Sequence, residues 1–226
     1  MPSVCFYFQV HQPLRLKFRC WEWANGQDDY FDHDSNEAIM KKVAEKCYLP
    51  TNRKMLELIE RHNGDFRIAY SITGVCLEQM RLYTPEVIDS FRALIDTGCV
   101  ELLGETYYHS LAACYDPEEF QQQVEAHKEI TKELFDFEPE IFRNTELIYD
   151  DSIGKLVADM GYKAVLTEGP DDIMQWRNPN LVYQVPETDC RILTKNYKLS
   201  DDIAFRFSNR GWAEWPLTAD LSLIHI

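Results

Sequence analysis

Short apolar runs alternate with amphipathic segments along almost the whole chain, and this alternation limits the possible folds more than any other feature. The runs VCFYFQV (residues 4–10), FRIAYSI (66–72), CVELLG (99–104), EIFRNT (140–145) and YKAVLT (162–167) each read as a strand. LVYQV (181–185) and RILTK (191–195) read as two shorter strands with no clear helix between them. Helical periodicity occupies residues 36–45 and 51–61. A further helix is expected from Thr84, an N-cap followed by Pro85, to Gly98. Another opens at Asp116, with Pro117 behind it and Glu119 at the third helical position, a capping-box pattern. A helix over residues 152–160 closes at Gly161. Strands joined through helices pair in parallel, with crossovers of one hand. The chain therefore predicts one α/β domain, a barrel or an open sheet.

Alternation within the strands favours the barrel. Val4, Phe6, Phe8 and Val10 share one face of the first strand, and Cys5, Tyr7, Gln9 and His11 the other. Ile68, Tyr70 and Ile72 oppose Ala69, Ser71 and Thr73 in the second strand, while Val100 and Leu102 oppose Glu101, Leu103 and Glu105 in the third. In the fourth, Phe142, Asn144 and Glu146 fall on one side. A sheet covered by helices on both faces is apolar on both. Polarity that rises toward the carboxyl ends fits a barrel whose mouth collects polar groups.

Composition excludes several function classes. A length of 226 residues, 45% of them hydrophobic and 27% charged, is enough to bury a core. The net charge of −15 opposes binding to nucleic acid or to anionic membranes, and it suits a neutral or cationic substrate. Seven cysteines without any C-x-x-C indicate neither a disulfide framework nor a zinc ribbon. The N-terminus lacks the basic and apolar regions of a signal peptide, and no apolar run is long enough to span a bilayer. The expectation is a cytoplasmic protein.

The chemistry-bearing residues collect at the strand ends, where sites form in barrels and open parallel sheets. They are His11 in QVHQP, Glu105 and His109 in LLGETYYHS, Glu146 in FRNTELIYDD, and Glu168 with Asp171 and Asp172 in VLTEGPDD. Each has a second reading. Glu146 could only neutralise the N-terminus of the helix beyond it. His11 could be a core histidine bonded to a carbonyl. Glu101, mid-strand and inward-facing, is either a site residue or half of an internal ion pair. Asp171 and Asp172 read as solvated loop residues. Trp21, Trp23, Trp176, Trp212 and Trp215 lie in loop-like stretches and either stack on sugar rings or pack over the end of the sheet. His11, Glu101, Glu105 and His109 could also offer metal ligands, but no H-x-x-x-H or H-x-x-E-H spacing occurs, so no metal and no cofactor is expected.

HQP after the first strand, VELLGETYYHSL after the third and FRNTELIY after the fourth resemble glycoside hydrolase family 57, in particular its α-amylase-type members. GYKAVLTEG and NYKLSDDIAFRF resemble further stretches of it, so the likeness runs from about residue 3 to residue 220. The resemblance implies an incomplete (β/α)7 barrel, with parallel strands inside and helices outside, and a retaining mechanism without metal. It implies that Glu146 is the nucleophile and that His11 contacts the donor sugar. Glu101 is a site residue by the same likeness, and Gln12, Glu105, His109 and Glu168 are expected around the substrate, an α-glucan or maltooligosaccharide. The family's acid/base aspartate has no candidate in this sequence. Residues 1–220 are therefore expected to be the N-terminal part of one catalytic barrel, truncated before its last strands and inactive alone. Residues 221–226 are expected to be a non-native tail that packs against nothing. Two alternatives remain at this stage: a metal-dependent polysaccharide deacetylase and a non-catalytic glucan-binding protein.

Overall fold

The computed structural model describes residues 3–18 and 30–222. Trp21 and Trp23 lie outside the described residues. The chain divides into two compact units, Cys5–Pro139 and Glu140–Ile226 together with Met1–Val4.

In the unit Cys5–Pro139, strands β1 (Tyr7–Val10), β2 (Ile68–Ile72) and β3 (Val100–Leu103) form a parallel sheet in the order β1-β2-β3. Gln9 pairs with Ser71, and Ala69 with Glu101. Helices α1 (His33–Val43), α2 (Leu49–Arg61), α3 (Gly74–Tyr83), α4 (Pro85–Ile95) and α5 (Pro117–Phe135) make the connections. The apolar row Ile68, Tyr70 and Ile72 enters a core with Met40, Leu77, Met80, Phe91 and Leu94. Tyr70 and Phe91 meet edge to face, with ring centroids 5.2 Å apart. Each such buried side chain contributes about 1.5–3 kcal/mol.

Three local departures from the sequence reading have physical causes. The helices expected at 36–45 and 51–61 run on through a π-helical stretch, Ala44–Tyr48, in which the Leu49 N–H reaches back to the Ala44 carbonyl. The wider turn lies directly before Pro50, whose ring would clash with the Lys46 carbonyl in an unbroken α-helix. Helix α3, absent from the sequence reading, is buried at Gly74, Val75, Cys76, Leu77, Gln79 and Met80. A helix so enclosed carries no amphipathic stripe to read. At α5, Asp116 accepts from the N–H groups of Glu118 and Glu119 as expected. The reciprocal half of the capping box is missing, because the Glu119 carboxylate takes the Gln123 amide at 2.7 Å and the Asp116 N–H bonds the Ala112 carbonyl.

In the other unit, strands β4 (Ile141–Arg143), β5 (Ala164–Thr167), β6 (Val182–Gln184) and β7 (Arg191–Thr194) form a sheet in the order β4-β5-β7-β6. β4, β5 and β7 are parallel, but β6 runs antiparallel to β7, against the all-parallel expectation. Residues 185–190 are too few for a crossover, which needs about a dozen residues or more. The helices are α6 (Asp151–Asp159), α7 (Asp171–Met174), α8 (Tyr197–Asp201) and α9 (Ala219–Ser222). Asp150 caps α6 through the Ile153 N–H. Asp171 and Asp172 open α7 rather than sitting in a loop. Of the expected tail, Ser222 is buried and donates to Asp202 Oδ2 at 2.8 Å, and residues 223–226 lie outside the described residues. No helix among the described residues is long and apolar enough to cross a membrane.

Candidate functional site

In the unit Cys5–Pro139 the carboxyl ends of β1, β2 and β3 carry a polar cluster. Three successive residues at the end of β2 each hold a neighbour. The Ser71 hydroxyl donates to Oε1 of Glu105 at 2.6 Å. The Ile72 carbonyl accepts from Nε2 of His127 at 2.8 Å. Thr73 Oγ1 bonds Nδ1 of His11 at 2.9 Å. The ring of His109 stacks on His11 with centroids 4.5 Å apart, and its Nδ1 lies 3.7 Å from Glu105 Oε2. Gln9 Nε2 approaches His109 Nδ1 at 3.2 Å.

His11, Glu105 and His109 are thus brought together, as the sequence implied. His127 was not anticipated, because a histidine mid-helix carries no local signal. It is fully buried, and burial lowers its pKa below the usual 6.5. Its proton sits on Nε2, since the Ile72 carbonyl can only accept. Gln12 is tied into the turn after β1: its side-chain oxygen accepts from Arg15 at 3.0 Å, and its carbonyl accepts from Gln79 at 2.7 Å. Glu101 is half-buried at mid-strand in β3, opposite Ala69.

In the unit Glu140–Ile226, Glu146 does not end an alternating strand row. β4 stops at Arg143, and Glu146 stands in a tight turn with φ 53°, followed by Leu147 at φ 56°. Two consecutive non-glycine residues in the left-handed region cost of order 1–3 kcal/mol each, and such strain gathers at functional sites. Asn144 shapes the turn by accepting from the Thr145 N–H and donating to the Ile148 carbonyl, both at 2.9 Å. β5 braces it through the Glu168 N–H, which donates to the Leu147 carbonyl at 3.3 Å. The Glu146 side chain is exposed while Thr145 and Leu147 on either side are buried. Glu168 is half-buried, with Oε1 3.7 Å from Nζ of Lys195. Lys195, which the sequence reading passed over, lies 4.6 Å above the Tyr197 ring. Of the tryptophans described, Trp176 is 85% exposed beneath Arg177, and Trp212 lies under Arg206.

Among the described residues no three His, Cys, Asp or Glu side chains form a group that could hold a metal ion. The unit Glu140–Ile226 thus offers an exposed carboxylate on a left-handed backbone turn, and the unit Cys5–Pro139 a polar cluster with stacked imidazole rings.

The family model "Glycosyl hydrolase family 57" matches residues 5–226. A protein of Methanocaldococcus jannaschii named "Putative alpha-amylase" is 48% identical over 219 residues, covering 96% of this chain and 46% of its own length. The chain thus spans about half of that relative. Among solved structures, 4-alpha-glucanotransferase from Thermococcus litoralis superposes with a TM-score of 0.68 at 19% identity, over 89% of this chain and 29% of its own. A GH57-type branching enzyme from Pyrococcus horikoshii gives 0.63 at 15% identity, over 88% and 47%. These likenesses show the fold: α/β with parallel strands and helical connections, as in the family's (β/α)7-barrel enzymes. The chain belongs to glycosyl hydrolase family 57.

Proposed function

We propose that the chain is part of a retaining enzyme that hydrolyses or transfers α-glucans, with Glu146 as its nucleophile. The observation that carries this reading is the Glu146 turn: an exposed carboxylate held in a left-handed conformation between two buried neighbours, at the carboxyl end of a parallel strand. Glu146 attacks the anomeric carbon and forms a glycosyl ester. A second carboxyl group protonates the leaving oxygen and then activates water or an acceptor hydroxyl, and retention requires the two to stand about 5–5.5 Å apart. Following the family resemblance, the second group is an aspartate, for which residues 1–226 offer no candidate. On this reading these residues alone turn over no maltooligosaccharide. His11, Gln12, Glu101, Glu105, His109 and Glu168 serve to hold the substrate, Glu105, which is fully buried, only through its neighbours.

The test is Glu146→Gln in the longer protein. Glutamine keeps the shape but cannot attack, so activity on maltooligosaccharides should fall by about 10³-fold or more while the melting temperature holds, because the side chain is exposed. Activity within about tenfold of wild type would overturn the assignment.

A further inference from the structure

Glu105 is fully buried. Oε1 is satisfied by Ser71, but among the described residues nothing donates a hydrogen bond to Oε2. A carboxylate withdrawn from water needs charge or hydrogen bonds in compensation. The surrounding elements supply the following groups. From β1 and the turn after it come Gln9, a neutral amide, and His11, whose Nδ1 is committed to Thr73. From β2 come the hydroxyls of Ser71 and Thr73. From α3 comes Cys76, a thiol that burial pushes up to about 12 and so keeps neutral. From α5 comes His127, whose N–H is spent on the Ile72 carbonyl and whose charged form burial disfavours. His109 remains, with Nδ1 3.7 Å from the open Oε2. Its backbone is held at φ 57°, a strained setting for a histidine that persists only where its surroundings fix it. Its side chain is 14% exposed, and Gln9 Nε2 lies 3.2 Å from Nδ1 and 3.3 Å from Nε2, so the charged ring requires the Gln9 amide to turn its oxygen toward it.

We propose that Glu105 is a positioning residue: it keeps His109 protonated and fixes its ring over His11, so that the stacked pair presents an imidazolium to a sugar hydroxyl. The sugar-binding part of this claim rests on the α-glucan reading; the charge state does not. In the charged form both ring nitrogens donate, to a sugar hydroxyl and to the amide oxygen of Gln9, while Glu105 neutralises the charge. Ser71 anchors the carboxylate, and Thr73 fixes the second ring of the pair.

The test has a spectroscopic arm and a kinetic one. In 15N-histidine NMR of the 226-residue chain and of the longer protein, with His109→Gln assigning the signal, His109 should show an imidazolium pattern near pH ~7 and titrate above the free-histidine value of about 6.5. Glu105→Gln should convert it to the neutral pattern, and Glu105→Asp should preserve it. A neutral His109 in the wild type overturns the proposal, as does an imidazolium that survives Glu105→Gln. If Glu105→Gln fails to fold, the wild-type titration alone decides: a midpoint at or below the free value overturns the claim. In the longer protein, Glu105→Gln and His109→Gln should each raise KM for maltooligosaccharides about tenfold, the worth of a hydrogen bond from a charged group, with a smaller change in kcat. The double variant should be no worse than His109→Gln alone, because the two act as one unit. Additive losses would mean that Glu105 acts by itself, and would overturn the positioning role. Absence of α-glucan turnover by the wild-type protein would remove the glucan reading, while the NMR arm still decides the Glu105–His109 claim.

Discussion

Gly74→Ala tests how the loop that bears Glu105 and His109 is held. A Cβ at Gly74 would lie 2.3 Å from Cδ2, 2.5 Å from Cε2 and 2.6 Å from Cγ of Tyr107. Carbon atoms prefer about 3.5–4.0 Å, so the ring would have to retreat by roughly 1 Å. It has little freedom to do so. Tyr107 is buried, and its carbonyl accepts from the Val75 N–H at 3.0 Å. Its ring packs edge to face on Tyr108 at 4.8 Å. Overpacking of this kind costs about 1–3 kcal/mol. Alanine returns up to ~1 kcal/mol of helix propensity, less at the first helical position. A net loss of about 2 kcal/mol lowers the melting temperature of a chain this size by about 4–8 °C. Circular dichroism melts of wild type, Gly74→Ala, Tyr107→Leu and the double variant measure it. The cost of Gly74→Ala should largely vanish in the Tyr107→Leu background. Gly98→Ala is the control: with φ 70° and nothing within 4 Å of its Cβ, its cost is conformational and should be equal in both backgrounds. An unchanged melting temperature for Gly74→Ala, or the same loss in both backgrounds, would refute the steric argument.

Three further outcomes are expected. His11→Ala should weaken maltooligosaccharide turnover with only a small loss of melting temperature, about that of one hydrogen bond to Thr73; a large drop in melting temperature with unchanged kinetics would assign His11 to the core instead. His127 is held neutral by burial, with its folded pKa below the unfolded 6.5. Its contribution is therefore complete above pH ~6.5 and declines as the pH falls below that value, because the unfolded state takes up the proton first. Melting temperatures measured from about pH 7 to 5 should fall along this limb, and the fall should be shallower in His127→Gln. Prolonged chelation of the longer protein should leave α-glucan turnover intact, and activity lost to a chelator and restored by zinc would favour deacetylase chemistry.

Legibility in the sequence depended on how local the signal was. Thr84 with Pro85 and Asp116 with Pro117 marked the starts of α4 and α5, and Gly161 marked the close of α6. Period-two alternation placed Ile68, Tyr70 and Ile72 in the core and turned Ser71 to Glu105. Helix α3 escaped because its polar and apolar positions do not segregate, Gln79 being buried and Leu82 exposed, and Thr73 before it makes no side-chain cap. The reversal of β6 depended on the shortness of a connection rather than on any residue type. At the site, His11, Glu105 and His109 were legible as strand-end residues, and the structure brings them together. Lys195 and His127 were not, because a lysine after a short strand and a histidine inside a helix have many ordinary uses. Glu146 was found by its motif, but not the shape of its turn: no sequence pattern announces two non-glycine residues at positive φ.

The central claim, that Glu146 is the nucleophile, is tested most directly by Glu146→Ala in the longer protein, supplied with an aryl α-maltooligoside and sodium azide. Removing the carboxylate opens a space from which azide can attack the anomeric carbon on the same face. The predicted result is an azide-dependent recovery of rate, with a β-glycosyl azide that accumulates because no carboxylate remains to open it. An α-glycosyl azide would assign Glu146 to the acid/base position instead, and the absence of any azide-dependent rate would contradict a catalytic role for it.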